Sequence, residues 1–158
     1  MKIERAQEND HIRLTEITFA GKSFWGYDNV QLEKWRSDLT ISADYITDNE
    51  TYKLVLNEET IGYFSIIKVD NDTIILDNIF LLPDYIGKGY GRFLMLDCIE
   101  RAKIQQAKRI ILDAEPNAEN FYRNFGFETI GQFESSIKNR FLPQMQLILS
   151  EFGLLKSG

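Results

Sequence analysis

The segment Leu81–Arg92, which reads LLPDYIGKGYGR, constrains the fold of this chain more than any other part of it. Its three glycines alternate with other residues, directly after a long apolar run and directly before an amphipathic helical pattern. Glycine adopts positive φ at little cost and has no Cβ to keep a ligand away, so successive backbone N–H groups can turn onto one anion. The first turn of the next helix adds N–H groups without intrahelical acceptors and the positive end of the helix dipole. The segment therefore predicts a strand, a phosphate-binding loop and a helix in direct succession.

The spacing of the glycines excludes two familiar nucleotide motifs. Lys88 is followed by Gly89, so the hydroxyl that binds magnesium in a mononucleotide P-loop is missing. Counted from Gly87, the sixth position of a dinucleotide fingerprint is Arg92, which is too large for close packing of helix on strand. A glycine-rich turn that binds no ligand remains the alternative.

Composition limits the class of protein. With 158 residues and 44% hydrophobic content, the chain fits one domain, 1–158, in which we expect 152–158 to be a flexible tail. The formal net charge of −6 argues against nucleic acid as a partner, and a cationic small substrate suits it better. The single cysteine, Cys98, gives no disulfide framework. We see no signal peptide and no apolar run of membrane length, so we expect a cytoplasmic protein without a membrane partner.

Hydrophobic periodicity predicts strands and helices in a mixed order. The pattern first predicts a strand over Lys2–Arg5, a helix capped by Asn9 or Asp10, and a loop over Ser23–Asn29. A helix with Leu32, Trp35 and Leu39 on one side and a helical turn from Ser42 follow. Three strands come next, over Thr51–Leu56, Thr60–Val69 and Thr73–Leu82. After the glycine loop it predicts a helix with Leu94, Met95, Cys98, Ile99 and Ala102 on its buried stripe, a strand over Arg109–Ala114, a short helix from Pro116, and a hairpin of Phe127–Ser136 with Arg140–Leu149.

Two segments together carry a family resemblance. The run IFLLPDYIGKGYGRFLM, followed about two dozen residues later by EPNAENFYRNFGF, resembles the core of the GNAT superfamily of acetyl-CoA-dependent N-acetyltransferases. The glycine loop is similar to the pyrophosphate signature of that family, and N-A-x-x-F-Y-x-x-x-G-F to its later signature. The family often has Arg or Gln where this chain has Ile86. The resemblance implies an α/β (α+β) fold with a mixed, mostly antiparallel central sheet of about six to seven strands, flanked by about four helices.

The resemblance also implies a site for acetyl-CoA, without a metal. The backbone of Leu81 would pair with the pantetheine arm as an added strand would, which needs an exposed strand edge. Asn117 would reach the pantetheine amides, although an asparagine that caps the short helix fits the sequence equally well. The backbone amides of the glycine loop would hold the pyrophosphate; the cofactor-binding loop residues are Ile86, Gly87, Lys88, Gly89, Tyr90, Gly91 and Arg92.

For the chemistry, the resemblance implies that Tyr122 protonates the departing thiolate, whereas its spacing with Phe121 and Phe125 also fits a core aromatic residue. An alkyl ammonium with a pKa of about 10.4 must lose a proton before it attacks. Asp77 is our first candidate for the base, because alternation places it on an otherwise apolar face of its strand. A structural carboxylate is the alternative for Asp77, and Asp113 and Glu115 are weaker candidates.

The family resemblance implies an acceptor pocket at Phe24, Trp25 and Tyr27, whose rings could instead belong to the core. A polyamine, an amino acid, an aminoglycoside and a protein N-terminus all stay open as small-molecule or peptide amine acceptors, and so does a homodimer. The expected activity is direct acetyl transfer to an amine. A non-catalytic acyl-CoA sensor and a nucleotide-binding or purely structural domain are the two rivals.

Overall fold

A computed structural model describes residues 1–135 and 141–153 of the chain. Within these residues, seven strands form one sheet, in the order β1-β2-β3-β4-β5-β7-β6. The strands are β1 (Lys2–Arg5), β2 (Glu50–Leu56), β3 (Glu59–Lys68), β4 (Thr73–Leu81), β5 (Arg109–Asp113), β6 (Glu128–Glu134) and β7 (Phe141–Ile148). The β4–β5 pair is parallel, while β1–β2, β2–β3, β5–β7 and β6–β7 are antiparallel. The expected mixed and mostly antiparallel sheet is confirmed.

The described residues form six α-helices, where the resemblance implied about four. They are α1 (His11–Phe24), α2 (Asn29–Lys34), α3 (Arg36–Leu39), α4 (Ala43–Asp48), α5 (Tyr90–Ile104) and α6 (Glu119–Arg123). Two helices between α1 and β2 account for the excess: one predicted helix is broken at Trp35 into α2 and α3, and the helical turn predicted from Ser42 forms α4. Leu32, Trp35 and Leu39 are all buried, as predicted, so the break changes the backbone and keeps the apolar side. No helix within the described ranges is long and apolar enough to cross a membrane.

The chain divides into two compact units. Unit 1 comprises Met1–Ile66 and Asn78–Cys98, and unit 2 comprises Ile67–Asp77 together with the described residues of Ile99–Gly158. In unit 1, a buried cluster is formed by Ala6, Leu14, Ile17, Ile41, Ile46 and Tyr63. The predicted stripe of α5 is also buried at Leu94, Met95, Cys98, Ile99 and Ala102. Cys98 is therefore a core residue, as its mid-stripe position predicted.

Two local predictions need correction. Ser23 and Phe24 end α1 instead of opening a loop. Asp10 occupies the predicted N-cap position of α1, but its carboxylate accepts a hydrogen bond from the Gln7 amide, 2.8 Å away, and makes no capping bond to the helix. The predicted hairpin ends at Ser136 and Arg140, and the tail from 154 onward, lie outside the described residues.

Candidate active site

The glycine loop has the backbone that its sequence predicts. After β4, a 3-10 turn covers Pro83–Tyr85, and α5 then begins at Tyr90. Gly87 and Gly89 have φ of +82° and +93°, a region that side chains other than glycine rarely occupy. A Cβ built on either residue would have no heavy atom within 4 Å. The two glycines are therefore required by the backbone, and the space in front of them is open for a ligand group.

The glycine loop leads directly into the first turn of α5, a helix of 15 residues. The first bond of α5 runs from the Phe93 N–H to the Gly89 carbonyl, at 3.1 Å. The amides of the helix's first turn have no acceptor within the helix, and the dipole of its 15 residues adds positive potential there. The Ile86 N–H, in contrast, donates to the Pro83 carbonyl at 3.1 Å. The Ile86 N–H therefore already has an acceptor within the 3-10 turn, and the amides expected to bind an anion that follow it are those of residues 87 to 92.

The side chains around the loop are mostly exposed. Lys88 and Arg92 bring positive charge to it, and Asp84 brings one negative charge. The Tyr85 and Tyr90 rings meet edge to face, with centroids 5.7 Å apart. The loop is thus a mainly cationic surface flanked by two aromatic rings.

Strand β4 is tightly held by β3 where it enters the loop. The Leu82 N–H donates to the Ile61 carbonyl at 2.8 Å. A Cβ at Gly62 would lie 2.8 Å from Leu81 Cδ2 and 2.9 Å from the Phe80 carbonyl oxygen. The parallel ladder to β5 ends at the pair Ile75 and Ile111, whereas β4 continues to Leu81. Residues 76 to 81 of β4 therefore extend beyond its pairing with β5.

Asp77 and Asn78 are in different surroundings, as neighbours in a strand with opposite side-chain directions should be. The Asn78 Nδ2 donates to Tyr45 Oη at 3.2 Å and to Ser65 Oγ at 3.1 Å, and the two hydroxyls are 2.8 Å apart. Ser65 is fully buried. Asp77 is exposed and Asn78 is partly buried, so Asp77 is the more solvent-accessible of the two.

Asp77 acts on a second carboxylate in unit 2. Partial burial, and then the negative charge of Asp77, raise the pKa of Asp113 above its ordinary value. Asp113 ends β5 and pairs with Gln144 of β7. Among the predicted base candidates, the structure therefore brings Asp77 and Asp113 together electrostatically.

Tyr122 lies in α6 and is buried, with 8% of its surface exposed. Its ring meets Phe121 and Phe127 edge to face, with centroids 5.3 and 5.9 Å away. A Schellman motif ends the helix, because the Gly126 N–H donates to Arg123 and the Phe127 N–H to Tyr122, with Gly126 at φ +99°. The ring direction of Tyr122 is thus fixed by packing and by the helix end.

Asn117 is not the helix cap that the sequence offered as an alternative. It lies inside the 3-10 turn Pro116–Ala118, and Ala118 occupies the cap position of α6. The exposed Asn117 side chain donates instead to Glu115 Oε1, at 3.0 Å. The orientation of the Asn117 side chain is therefore held by the carboxylate of Glu115.

The predicted acceptor residues surround the end of α1. Phe24 is 47% exposed and meets Trp25 edge to face, at 5.1 Å between centroids. Tyr27 meets the buried Trp35 at 4.8 Å. The glycine loop and these aromatic residues belong to unit 1, while Asp77, Asn117 and Tyr122 belong to unit 2.

Residues 23–148 match the family model of the acetyltransferase (GNAT) domain. The chain belongs to this family. The family predicted from the two segments is therefore confirmed.

Of the curated relatives, the uncharacterized N-acetyltransferase ycf52 of Gracilaria tenuistipitata var. liui is 25% identical over 91 residues, which are 58% of this chain and 50% of the relative. The UPF0039 protein C11D3.02c of Schizosaccharomyces pombe is 30% identical over 74 residues, which are 46% of this chain and 49% of the relative. The chain spans about half the length of these curated relatives.

Solved structures of other GNAT proteins show the same fold. The GCN5-related N-acetyltransferase from Rhodopseudomonas palustris superposes with a TM-score of 0.77 at 20% identity, over 93% of this chain and 94% of that one. The PaiA N-acetyltransferase from Thermoplasma acidophilum, solved with coenzyme A, gives 0.76 at 16% identity, over 93% and 98% of the two chains. At such identities the likeness extends to the fold alone.

Sequence reasoning missed two features near this site. Gly62 reads as an ordinary glycine in a strand, and only the approach of β4 shows why a side chain is excluded there. The Lys22 ammonium lies 6.0 Å from the Tyr27 ring centroid and 5.9 Å from that of Phe80. A lysine in the last turn of α1 is common at helix ends, so the sequence gave no signal for its aromatic surroundings.

Proposed function

We propose that this chain is an N-acetyltransferase which moves the acetyl group of acetyl-CoA directly to a primary amine. The observation that carries the proposal is the loop before α5, where Gly87 and Gly89 have positive φ and face open space. A diphosphate suits such a loop because several backbone N–H groups and a helix dipole act on one anion without a metal ion. Membership of the acetyltransferase family supports the same reaction.

The cofactor contacts follow from the backbone of unit 1. The amides from Gly87 to Arg92 bind the pyrophosphate, and the Lys88 and Arg92 side chains add charge-assisted contacts. The backbone of Leu81 pairs with the pantetheine arm, a role supported by the extension of β4 beyond its ladder with β5. Asn117 contributes its side chain to the pantetheine amides, with its orientation held by Glu115.

The chemistry needs one group that accepts a proton and one that donates it. Asp77, through a water molecule, takes a proton from the acceptor ammonium, a role supported by the exposure of its carboxylate. The free amine attacks the thioester carbonyl, a C–N bond forms and the C–S bond breaks. Tyr122 gives its phenolic proton to the leaving thiolate, which departs as the thiol. The second proton, which the attacking nitrogen sheds as the amide forms, restores the phenol of Tyr122 through water. Holding the two reactants together supplies most of the acceleration, since effective molarities reach about 10⁵–10⁸ M.

A melting experiment with acetyl-CoA, CoA, NAD and ATP tests the ligand. We expect acetyl-CoA and CoA to raise Tm, with stabilisation of about 2.7 kcal/mol at a concentration 100 times Kd. Gly89→Ala should abolish the shift, because the loop needs a φ of +93° at this position and alanine rarely adopts it. Gly153→Ala is the matched control, with φ of +89° and open space around it outside the proposed site.

Thiol release across a panel of amines then tests the reaction. Release with any amine supports transfer, whereas binding without release across the panel would identify a non-catalytic acyl-CoA sensor. A shift with NAD or ATP alone would indicate a nucleotide-binding domain. No shift with any of the four compounds would overturn the proposed function.

A further inference from the structure

Two large apolar side chains are exposed on either side of the open glycines. Ile86, directly before Gly87, is 36% exposed, and Phe93, in the first turn of α5, is 38% exposed. The residues on the buried stripe of the same helix are at most 1% exposed, so Phe93 lies outside that stripe. Single exposed apolar residues are common, but these two flank a loop whose charges suit an anion. The ligand of this loop should therefore carry an apolar part next to its anionic part.

The backbone of Phe93 is bonded directly to the loop. Its N–H donates to the Gly89 carbonyl at 3.1 Å, the first hydrogen bond of α5. Gly89 has φ of +93°, and a Cβ built on it would have no heavy atom within 4 Å. The open space at Gly89 and the exposed Phe93 side chain are thus about one helical turn apart. All of these residues belong to unit 1.

Of the three aromatic rings around the loop, that of Phe93 is the most exposed. Tyr85 and Tyr90 are partly buried and meet each other edge to face, with centroids 5.7 Å apart. Phe93 follows Tyr90 by three residues, which makes the two side chains neighbours on the surface of α5. Phe93 therefore extends, toward solvent, the aromatic surface that the two tyrosines begin.

The order of the elements assigns the two halves of coenzyme A to the two sides of the loop. In the proposed function, the backbone of Leu81 in β4 pairs with the pantetheine arm, and the amides that follow hold the pyrophosphate. Adenosine is attached to the opposite end of the pyrophosphate, so it leaves the loop on the side of α5. Phe93 lies on that side. A ribose separates the phosphate from the base and bridges a gap of about one helical turn.

We propose that the Phe93 ring stacks on the adenine of acetyl-CoA, with Ile86 in apolar contact with the nucleoside. This inference rests on the proposed function and extends cofactor recognition from the diphosphate to the base. Adenine is flat and uncharged, and stacking covers the part of Phe93 that water now reaches. The preferred donor is therefore a thioester of complete coenzyme A. A phosphopantetheine thioester, which has no adenosine, would leave the Phe93 ring uncovered.

A matched pair of ligands tests the inference. CoA and pantetheine 4′-diphosphate share the pantetheine arm and the diphosphate, and only CoA carries the 3′-phosphoadenosine. Isothermal titration calorimetry gives Kd of both ligands for the wild type, Phe93→Ala and Phe93→Trp. Phe133→Ala is the control, because it truncates a phenylalanine of β6 that is 51% exposed and lies outside the proposed site.

We expect the wild type to bind CoA more tightly than pantetheine 4′-diphosphate. Phe93→Ala should raise Kd for CoA about 5- to 100-fold and leave Kd for pantetheine 4′-diphosphate within about twofold. Phe93→Trp should keep the affinity for CoA, because indole also offers a flat aromatic face. Phe133→Ala should bind both ligands as the wild type does. Phe93→Leu keeps an apolar side chain without a ring, and we expect it to lose affinity for CoA alone, as Phe93→Ala does.

Three results would overturn the stacking contact. One is a Phe93→Ala variant that binds CoA as tightly as the wild type. Another is an equal loss of affinity for both ligands in Phe93→Ala and Phe93→Leu, which would assign Phe93 to the shape of the loop. The third is a wild type with the same Kd for both ligands, which would leave the adenosine without a contact. A wild type that binds neither ligand would instead contradict the proposed function.

Discussion

Gly62 on β3 leaves room for Leu81 on β4. A methyl group at Gly62 would lie 2.8 Å from Leu81 Cδ2 and 2.9 Å from the Phe80 carbonyl oxygen, distances that Cβ atoms essentially never show. The contact involves backbone as well as side chain, so a rotamer change alone cannot relieve it. The absence of a side chain at Gly62 thus fixes how closely the end of β4 approaches β3, directly before the proposed phosphate loop.

Gly62→Ala should therefore lower both stability and cofactor affinity. Overpacking a core contact costs about 1–3 kcal/mol. For a protein of this size each kcal/mol corresponds to about 2–4 °C in Tm. Gly131→Ala is the control, because its Cβ would meet only Gln144 Oε1 at 3.9 Å, an ordinary contact. Thermal melting with and without acetyl-CoA measures both effects, and equal Tm values for the two variants would contradict the argument.

Tyr122→Phe should separate catalysis from binding. A positioned general acid contributes about 10²–10⁴-fold, so kcat should fall in that range while the acetyl-CoA melting shift stays. Phenylalanine keeps the contacts with Phe121 and Phe127, so the packing of α6 survives. Steady-state thiol release is the measurement.

Tyr52→Phe is the matched control for that variant. Tyr52 is also 8% exposed, and its hydroxyl donates to Glu50 Oε1 at 2.8 Å outside the proposed site. A comparable loss of kcat in Tyr52→Phe would attribute the effect to a lost buried hydroxyl. A loss below twofold in Tyr122→Phe would remove Tyr122 from the mechanism.

Periodicity and glycine positions predicted the parts of the fold that local chemistry determines. The stripe of α5 could be predicted because burial repeats with the helical period, and Cys98 lies in its middle. Gly126 could be assigned to a helix end because its positive φ is unfavourable for other residues. The loop at Gly87 and Gly89 follows from the same argument.

Features that depend on distant partners could not be predicted. The Ile86 N–H donates to the Pro83 carbonyl because a 3-10 turn forms ahead of the glycine loop. The sequence did not predict this turn, since Pro-Asp-Tyr is compatible with several turn types. Asn78 bonds to Tyr45 and Ser65, which are 33 and 13 residues away in the chain. The contacts of Lys22 with the Tyr27 and Phe80 rings likewise combine α1, the segment after it and β4, so no short stretch of sequence contains the signal.

The raised pKa of Asp113 predicts a pH-dependent gain in stability for Asp113→Asn. Partial burial and the charge of Asp77 disfavour the ionised carboxyl, so the folded state binds its proton more tightly than the unfolded state. By linkage, this contribution to stability is present below the unfolded pKa of about 3.9 and is lost as the pH rises through the folded pKa. Asp113→Asn should thus raise Tm relative to the wild type more at pH 7 than at pH 3.5. Melting curves at the two pH values check the sign, and a larger gain at pH 3.5 would contradict it.

Asp77→Asn should identify the base. If Asp77 receives the ammonium proton, its amide variant loses about 10²–10⁴-fold in kcat/KM, since general-base catalysis contributes that much. Asp113→Asn provides the comparison, because it removes the neighbouring negative charge and leaves the Asp77 carboxylate in place. We expect the Asp113 variant to retain turnover within a few-fold, with the pH–rate profile of kcat/KM measured for both. A loss below twofold in Asp77→Asn, together with a large loss in Asp113→Asn, would transfer the role of base to the carboxylate on β5.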